Sequence, residues 1–172
     1  MTKPKYVFLD RDGVLNYDRG DYSWLPEHFK LIPDSMYALR KLNDLGYTII
    51  VITNQAGISR GIYTVEDMKR CHQLLQEACD HAIAGFYYSP YHPSKTKSLS
   101  RKPDSLLFER AIAKYDCDPK HAWMIGDKER DLIPADRLGM STIIMGAEGS
   151  SVYNYRVQNL SEAVEVINSQ EI

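Results

Sequence analysis

The sequence predicts an α/β fold, a doubly wound, Rossmann-like parallel sheet of about five strands with helices on both faces. Three observations carry this expectation. Short, bulky apolar runs alternate with helix-like patterns along the whole chain. Acidic and polar residues gather where those runs end, which in open α/β sheets is the ligand-binding edge. The 172 residues, 44% hydrophobic and 26% charged, suit one domain over residues 1–172 that buries a full core without staples.

Taken in order, Tyr6-Val7-Phe8-Leu9 reads as a buried first strand, and Asp10-Arg11-Asp12-Gly13 follows it, with Gly13 permitting a sharp turn. A polar and aromatic loop is expected over residues 16–29. A helix should start at Pro33, with Met36, Leu39, Leu42 and Leu45 inward and Gly46 as its stop. Residues 47–52 form a second buried strand ending at Thr53-Asn54-Gln55, and the loop 56–63 carries Gly57, Arg60 and Gly61. Thr64 with Asp67 resembles a capping box, opening a helix that keeps Met68, Leu75 and Ala82 inward.

Phe86-Tyr87-Tyr88 is a short third strand, followed by a long polar loop over 89–102. Pro103 suits the first turn of a helix running to about Tyr115. Residues 122–125 give a fourth strand ending at Gly126-Asp127, and residues 141–145 a fifth. Leu160, Ala163, Val164 and Ile167 mark the inward face of a closing helix. With right-handed crossovers, Asp10, Thr53 and Asp127 end different strands on one edge of the sheet, with Lys102 at a helix start beside them.

Composition narrows the partners. A net charge of −2 gives no support for binding nucleic acid or an anionic membrane. No apolar run approaches the roughly 20 residues that span a bilayer, and the start Met1-Thr2-Lys3-Pro4 shows no signal peptide. Cys71, Cys79 and Cys117 are odd in number and lack paired metal spacing, as expected of free thiols in a reducing cytoplasm. A cytoplasmic monomer acting on a small molecule is expected.

The converging residues have a chemistry. Asp10 and Asp127 offer hard oxygen ligands suited to Mg²⁺. Lys102 would neutralise an anionic ligand, and Thr53 adds a hydroxyl donor. This set suits a phosphoryl group, whose transfer depends on positioning and charge stabilisation. A first carboxylate can be the nucleophile, and a second two positions later can move the proton. Asp-x-Asp-Gly alone is also an ordinary solvated turn. A phospho-receiver domain uses a similar Asp, Thr and Lys set, but in another order along the chain. A catalytically silent binding domain is the third alternative.

The ordered set Asp10-Arg11-Asp12-Gly13-Val14, Thr53, Lys102 and Gly126-Asp127-Lys128-Glu129-Arg130-Asp131 resembles the haloacid dehalogenase superfamily of phosphatases. Residues 8–16 and 53–61 with Arg101-Lys102-Pro103 resemble its branch of heptose 1,7-bisphosphate 7-phosphatases and histidinol-phosphatases. The resemblance implies Asp10 as nucleophile and metal ligand, and Asp12 as general acid/base with its carbonyl on the metal. It implies Thr53 and Lys102 as phosphoryl stabilisers, and Asp127 as a Mg²⁺ ligand. Asp131 would hold metal-bound water or orient Lys128. Asp18, Gly20, Asp21, Asn54, Gln55, Arg60, Arg101 and Lys128 are the expected substrate-binding residues. The gaps at 16–32 and 86–102 are too short for a cap domain.

One departure stands out. Many members of the branch carry a zinc loop, Cys-x-His then Cys-x-Cys before Arg-Lys-Pro. Here the first pair is replaced by Ser89 and Tyr91, and residues 94–100 hold no cysteine. Only His92 remains as a ligand, so no zinc is expected.

Overall fold

The computed structural model describes residues 4–146 and 153–170. Residues 1–3, most of the Met1–Pro4 start on which the signal-peptide expectation rests, lie outside them. Six strands form one parallel sheet in the order β3-β2-β1-β4-β5-β6: β1 Lys5–Leu9, β2 Tyr47–Asn54, β3 Ile83–Ser89, β4 Ala122–Gly126, β5 Ser141–Met145 and β6 Tyr155–Val157. Five α-helices lie between and after them: α1 Pro33–Asp44, α2 Val65–Ala78, α3 Leu106–Tyr115, α4 Glu129–Arg137 and α5 Leu160–Ser169.

The alternation of side chains along each strand decides which helix packs where. Val7 and Leu9 of β1, with Ile49, Val51, Trp123 and Ile125, face α1, α2 and α5 through Leu39, Leu42, Leu75, Ala163 and Ile167. Tyr6 and Phe8, with Ile50, Ile52 and Met124, face α3 and α4 through Leu107, Phe108, Ala111 and Leu132. Both faces of the sheet are therefore dry, and its strands read as near-continuous apolar runs.

Several boundaries differ from the sequence expectation, each for a local reason. The sixth strand is three residues long with an arginine at its centre, so it shows no apolar run. Leu45 lies one residue past α1 and is exposed, because the helix ends at Asp44. Ala82 lies beyond α2 and packs on the core from the following turn. The helix expected at Pro103 starts at Leu106, so Lys102 sits in the turn before α3 rather than on it. The Thr64–Asp67 capping box is present: the Asp67 N–H donates to Thr64 Oγ1 and the Thr64 N–H to Asp67 Oδ2.

The chain winds outward through β1, β2 and β3, then returns to the other side of β1 as β4. β1 and β4 thus flank the topological switch point, where open sheets of this order form their crevice. Asp10 and Asp127 follow these two strands, and the Asp10 N–H donates to the Ile125 carbonyl at 3.0 Å.

A buried histidine supports this edge. His72 of α2 stacks on Phe86 at 4.3 Å, and its Nε2 accepts from Arg11 Nη1 at 3.4 Å. Burial, and then the Arg11 charge, push its pKa down to about 3. Below an unfolded value of about 6.5, the unfolded chain takes up a proton that the native chain refuses. Stability should therefore fall as pH drops from about 6.5 toward 3, by on the order of 2 kcal/mol between pH 6.5 and 5. Urea unfolding of wild type and His72→Gln across this range checks it, and parallel pH profiles would refute it.

Candidate active site

At the switch point a cleft of about 720 Å³ opens, with Asp10, Asp12, Asn54, Gln55, Lys102 and Asp131 in its wall. Its floor is a buried ion cluster. Lys102, only 2% exposed, donates from Nζ to Asp10 Oδ1 at 2.7 Å and to the Ile52 carbonyl at 2.7 Å. The same ammonium lies 2.8 Å from Asp131 Oδ1. Asn54 fixes the backbone that carries this lysine: it donates to the Lys102 carbonyl at 3.2 Å and accepts from the Lys102 N–H at 3.1 Å.

Asp10, Asp127 and Asp131 each place a carboxylate oxygen within 4.8 Å of the others. Burial, then the Asp131 charge, pushes the Asp10 pKa up to about 7 against the opposing pull of Lys102. The same two causes, in the same order, raise Asp127 to about 6. Asp127 Oδ1 is buried without a hydrogen-bond partner among the described residues. Three crowded carboxylates, one with an orphaned buried oxygen, are a donor set that fits a hard divalent cation.

Gly13 makes this crowding possible. It has φ +86°, and a Cβ there would lie 2.3 Å from Asp127 Oδ2. Gly13→Ala should therefore displace the Asp127 carboxylate, costing more than about 1 kcal/mol of stability and most of the turnover. Thermal melts and initial rates test this, and a fully active, equally stable variant would contradict it.

Asp12 is held from several sides. Its Oδ1 accepts from Arg11 Nη2 at 2.8 Å and Asn16 Nδ2 at 2.9 Å, and its Oδ2 from Gln55 Nε2 at 3.1 Å. Thr53 is fully buried, and its Oγ1 accepts from Gln55 Nε2 at 2.9 Å.

Comparison with known proteins fits this geometry. Residues 99–158 match a family model described as HAD-hydrolase-like. A D-glycero-beta-D-manno-heptose-1,7-bisphosphate 7-phosphatase of Haemophilus ducreyi is 34% identical over 157 residues, 86% of each chain. One from Chlorobaculum tepidum, named D-glycero-D-manno-heptose-1,7-bisphosphate 7-phosphatase, is 35% identical over 84% of this chain and 80% of its own. The chain belongs to the haloacid dehalogenase-like phosphatases, in the heptose-bisphosphate phosphatase branch. The fold agrees: the crystal structure of D,D-heptose 1,7-bisphosphate phosphatase from B. bronchiseptica, complexed with magnesium and phosphate, superposes with a TM-score of 0.89. It is 24% identical, and the match covers 97% of this chain and 99% of that one.

The phosphatase gathers most of the sequence-expected residues around one cleft, though Thr53 and Asp127 are not part of its lining. Asp18, Gly20, Asp21, Arg60, Arg101 and Lys128 all line it. Asp18 accepts from Lys128 Nζ at 3.0 Å, joining the first loop to the start of α4 across the cleft. Asp21 pairs with Arg19 at the surface. The amides of Asn54 and Gln55 line the cleft but are engaged by protein groups. Asp131 does not reach the Lys128 side chain: its Oδ2 accepts the Lys128 main-chain N–H at 3.2 Å while its Oδ1 faces Lys102.

Sequence reasoning missed Arg130 and the aromatic wall of Tyr22, Trp24 and Tyr63. Arg130 was hidden beside the stronger Gly-Asp-Lys signal, and lone aromatics in a loop carry no periodic mark. The loop 90–102 is tied by hydroxyls and main chain. Ser89 Oγ meets Ser100 Oγ at 2.9 Å, which meets Ser98 Oγ at 2.8 Å. The His92 N–H donates to Ser59 Oγ at 2.8 Å, and Arg101 donates to the Tyr91 carbonyl at 3.3 Å. Among the described residues, no helix is long and apolar enough to cross a membrane.

Proposed function

We propose that this phosphatase hydrolyses the 7-phosphate of a D-glycero-D-manno-heptose 1,7-bisphosphate with Mg²⁺, through an aspartyl-phosphate on Asp10. The observation that carries this is the Asp10–Lys102–Asp131 cluster at the switch point, with Asp127 beside it and Asp12 at its rim. The relatives that share most of the chain are named for this substrate.

Asp10 attacks phosphorus in line, and the bond from phosphorus to the sugar oxygen breaks. Asp12 gives its proton to the departing alkoxide and then takes one from the water that cleaves the phosphoenzyme, releasing phosphate and freeing Asp10. Lys102 and Thr53 neutralise charge on the phosphoryl oxygens throughout. Asp10, Asp127 and the Asp12 carbonyl would hold Mg²⁺, which when bound supplies positive charge to the phosphoryl group. Arg60, Arg101, Arg130 and Lys128 give the rest of the cleft a cationic rim suited to a second phosphate. The reading includes a monomer with no structural zinc.

A phosphate-release screen across heptose bisphosphates, histidinol phosphate and common sugar monophosphates tests the assignment. The highest kcat/KM is expected for a heptose 1,7-bisphosphate, with the 1-phosphate as product. Preference for any monophosphate, or loss of the 1-phosphate first, would overturn it.

A further inference from the structure

Gln55 and Tyr63 are both buried, at 2% and 5% exposure, directly behind Asp12 and Thr53. The Tyr63 hydroxyl donates to Gln55 Oε1 at 2.6 Å. Gln55 Nε2 then has two hydrogens and two acceptors: Asp12 Oδ2 at 3.1 Å and Thr53 Oγ1 at 2.9 Å. Both amide hydrogens are thus engaged by protein groups, and none is left to donate to a ligand. The opposite orientation would set its carbonyl against the Asp12 carboxylate and leave the phenol proton without that acceptor. Tyr63 is itself fixed, stacked on Trp24 at 5.9 Å with 11° between the rings. A Cβ on Gly57 would lie 2.2 Å from Tyr63 Cε1, so the ring rests on bare backbone. Burial raises the phenol pKa, which keeps the hydroxyl a donor.

The consequences at the reaction centre follow from counting hydrogens. Asp12 Oδ1 already accepts from Arg11 and Asn16, so a proton there would oppose two donors. Oδ2 accepts from Gln55 alone among the described residues, and Asp12 lines the cleft. A threonine hydroxyl carries one hydrogen; by accepting from Gln55, Thr53 keeps that hydrogen for another acceptor.

We infer that Gln55, locked by Tyr63, is the positioning residue that sets the sense of both hydrogen bonds at the centre. It leaves Asp12 Oδ2 as the oxygen that carries the transferred proton, and it turns the Thr53 hydroxyl into a donor toward the phosphoryl group. Gln55 then acts through these two side chains rather than on the sugar. The inference rests on the roles proposed above for Asp12 and Thr53.

Kinetics with two substrates test it: an alkyl phosphate, whose leaving group needs a proton, and p-nitrophenyl phosphate, whose leaving group does not. For Gln55→Met, kcat on the alkyl ester should fall about a hundredfold with KM little changed, and on the aryl ester about tenfold. Tyr63→Phe keeps the ring and its stack, so it should fold normally by thermal melt, and should lose about tenfold with the same bias. The double variant should be no slower than Gln55→Met, because the phenol acts through the amide. A raised KM with unchanged kcat, equal losses on both esters, or losses that multiply in the double variant would each overturn the inference. Wild-type turnover by Asp10→Asn would instead break the reading beneath it.

Discussion

Asp10→Asn is expected to lower kcat by at least roughly a thousandfold, since no other group in the cleft can take the place of an in-line carboxylate nucleophile. The same variant should not be less stable. Asp10 is buried beside Asp131, and its pKa is pushed up to about 7, so the fold holds its charge at a cost. A neutral amide removes that repulsion while Lys102 keeps Asp131, 2.8 Å away, as its partner. Lost turnover with an equal or higher melting temperature is the expected pair of results. Appreciable phosphate release, with trapping of a phosphoenzyme on another residue, would remove Asp10 from the role.

Lys102→Met should do the reverse to stability. The ammonium compensates two carboxylates that are almost wholly buried, Asp10 at 2.7 Å and Asp131 at 2.8 Å. Breaking a buried ion pair from one side typically costs about 3–5 kcal/mol, because a desolvated charge is left unopposed. Loss of the cation should also drive the Asp10 pKa higher still, emptying the ionised nucleophile at neutral pH. Urea unfolding at pH 7.5 in chelator gives the stability change, and kcat should drop by at least about a hundredfold. A variant as stable as wild type would mean that the cluster's charge is balanced elsewhere.

These two variants separate what the sequence made legible from what it did not. The strand ends were legible because Tyr6-Val7-Phe8-Leu9 and Ala122-Trp123-Met124-Ile125 are too short and bulky to be anything but buried strands, and their acids follow at once. Convergence then followed from parallel topology alone. The partners of Lys102 were not legible. Asp131 was expected to hold metal-bound water or to orient Lys128, its neighbour three residues back. In the fold it turns inward at 1% exposure because α4 begins against the lysine's turn. Arg11 was equally opaque. It stands between two functional acids with no role expected of it, and it is fully buried, with Phe29 beneath its guanidinium at 5.1 Å. Contacts between segments far apart in sequence leave no periodic trace, whereas strand and cap signals are local.

Arg11 has a consequence for how this active site can be remade. Its Nη2 grips the first loop by the Ser23 carbonyl, at 2.8 Å, and not by any side chain of that loop. Every residue presents the same backbone oxygen, so the anchor is indifferent to which side chains the loop displays. Tyr22, beside the gripped carbonyl, is thus an exchangeable faceplate on a fixed hinge, whereas Trp24 holds the Tyr63 ring by stacking at 5.9 Å. Libraries that randomise Tyr22 alone should alter which esters are accepted while leaving the Asp12 carboxylate where it stands.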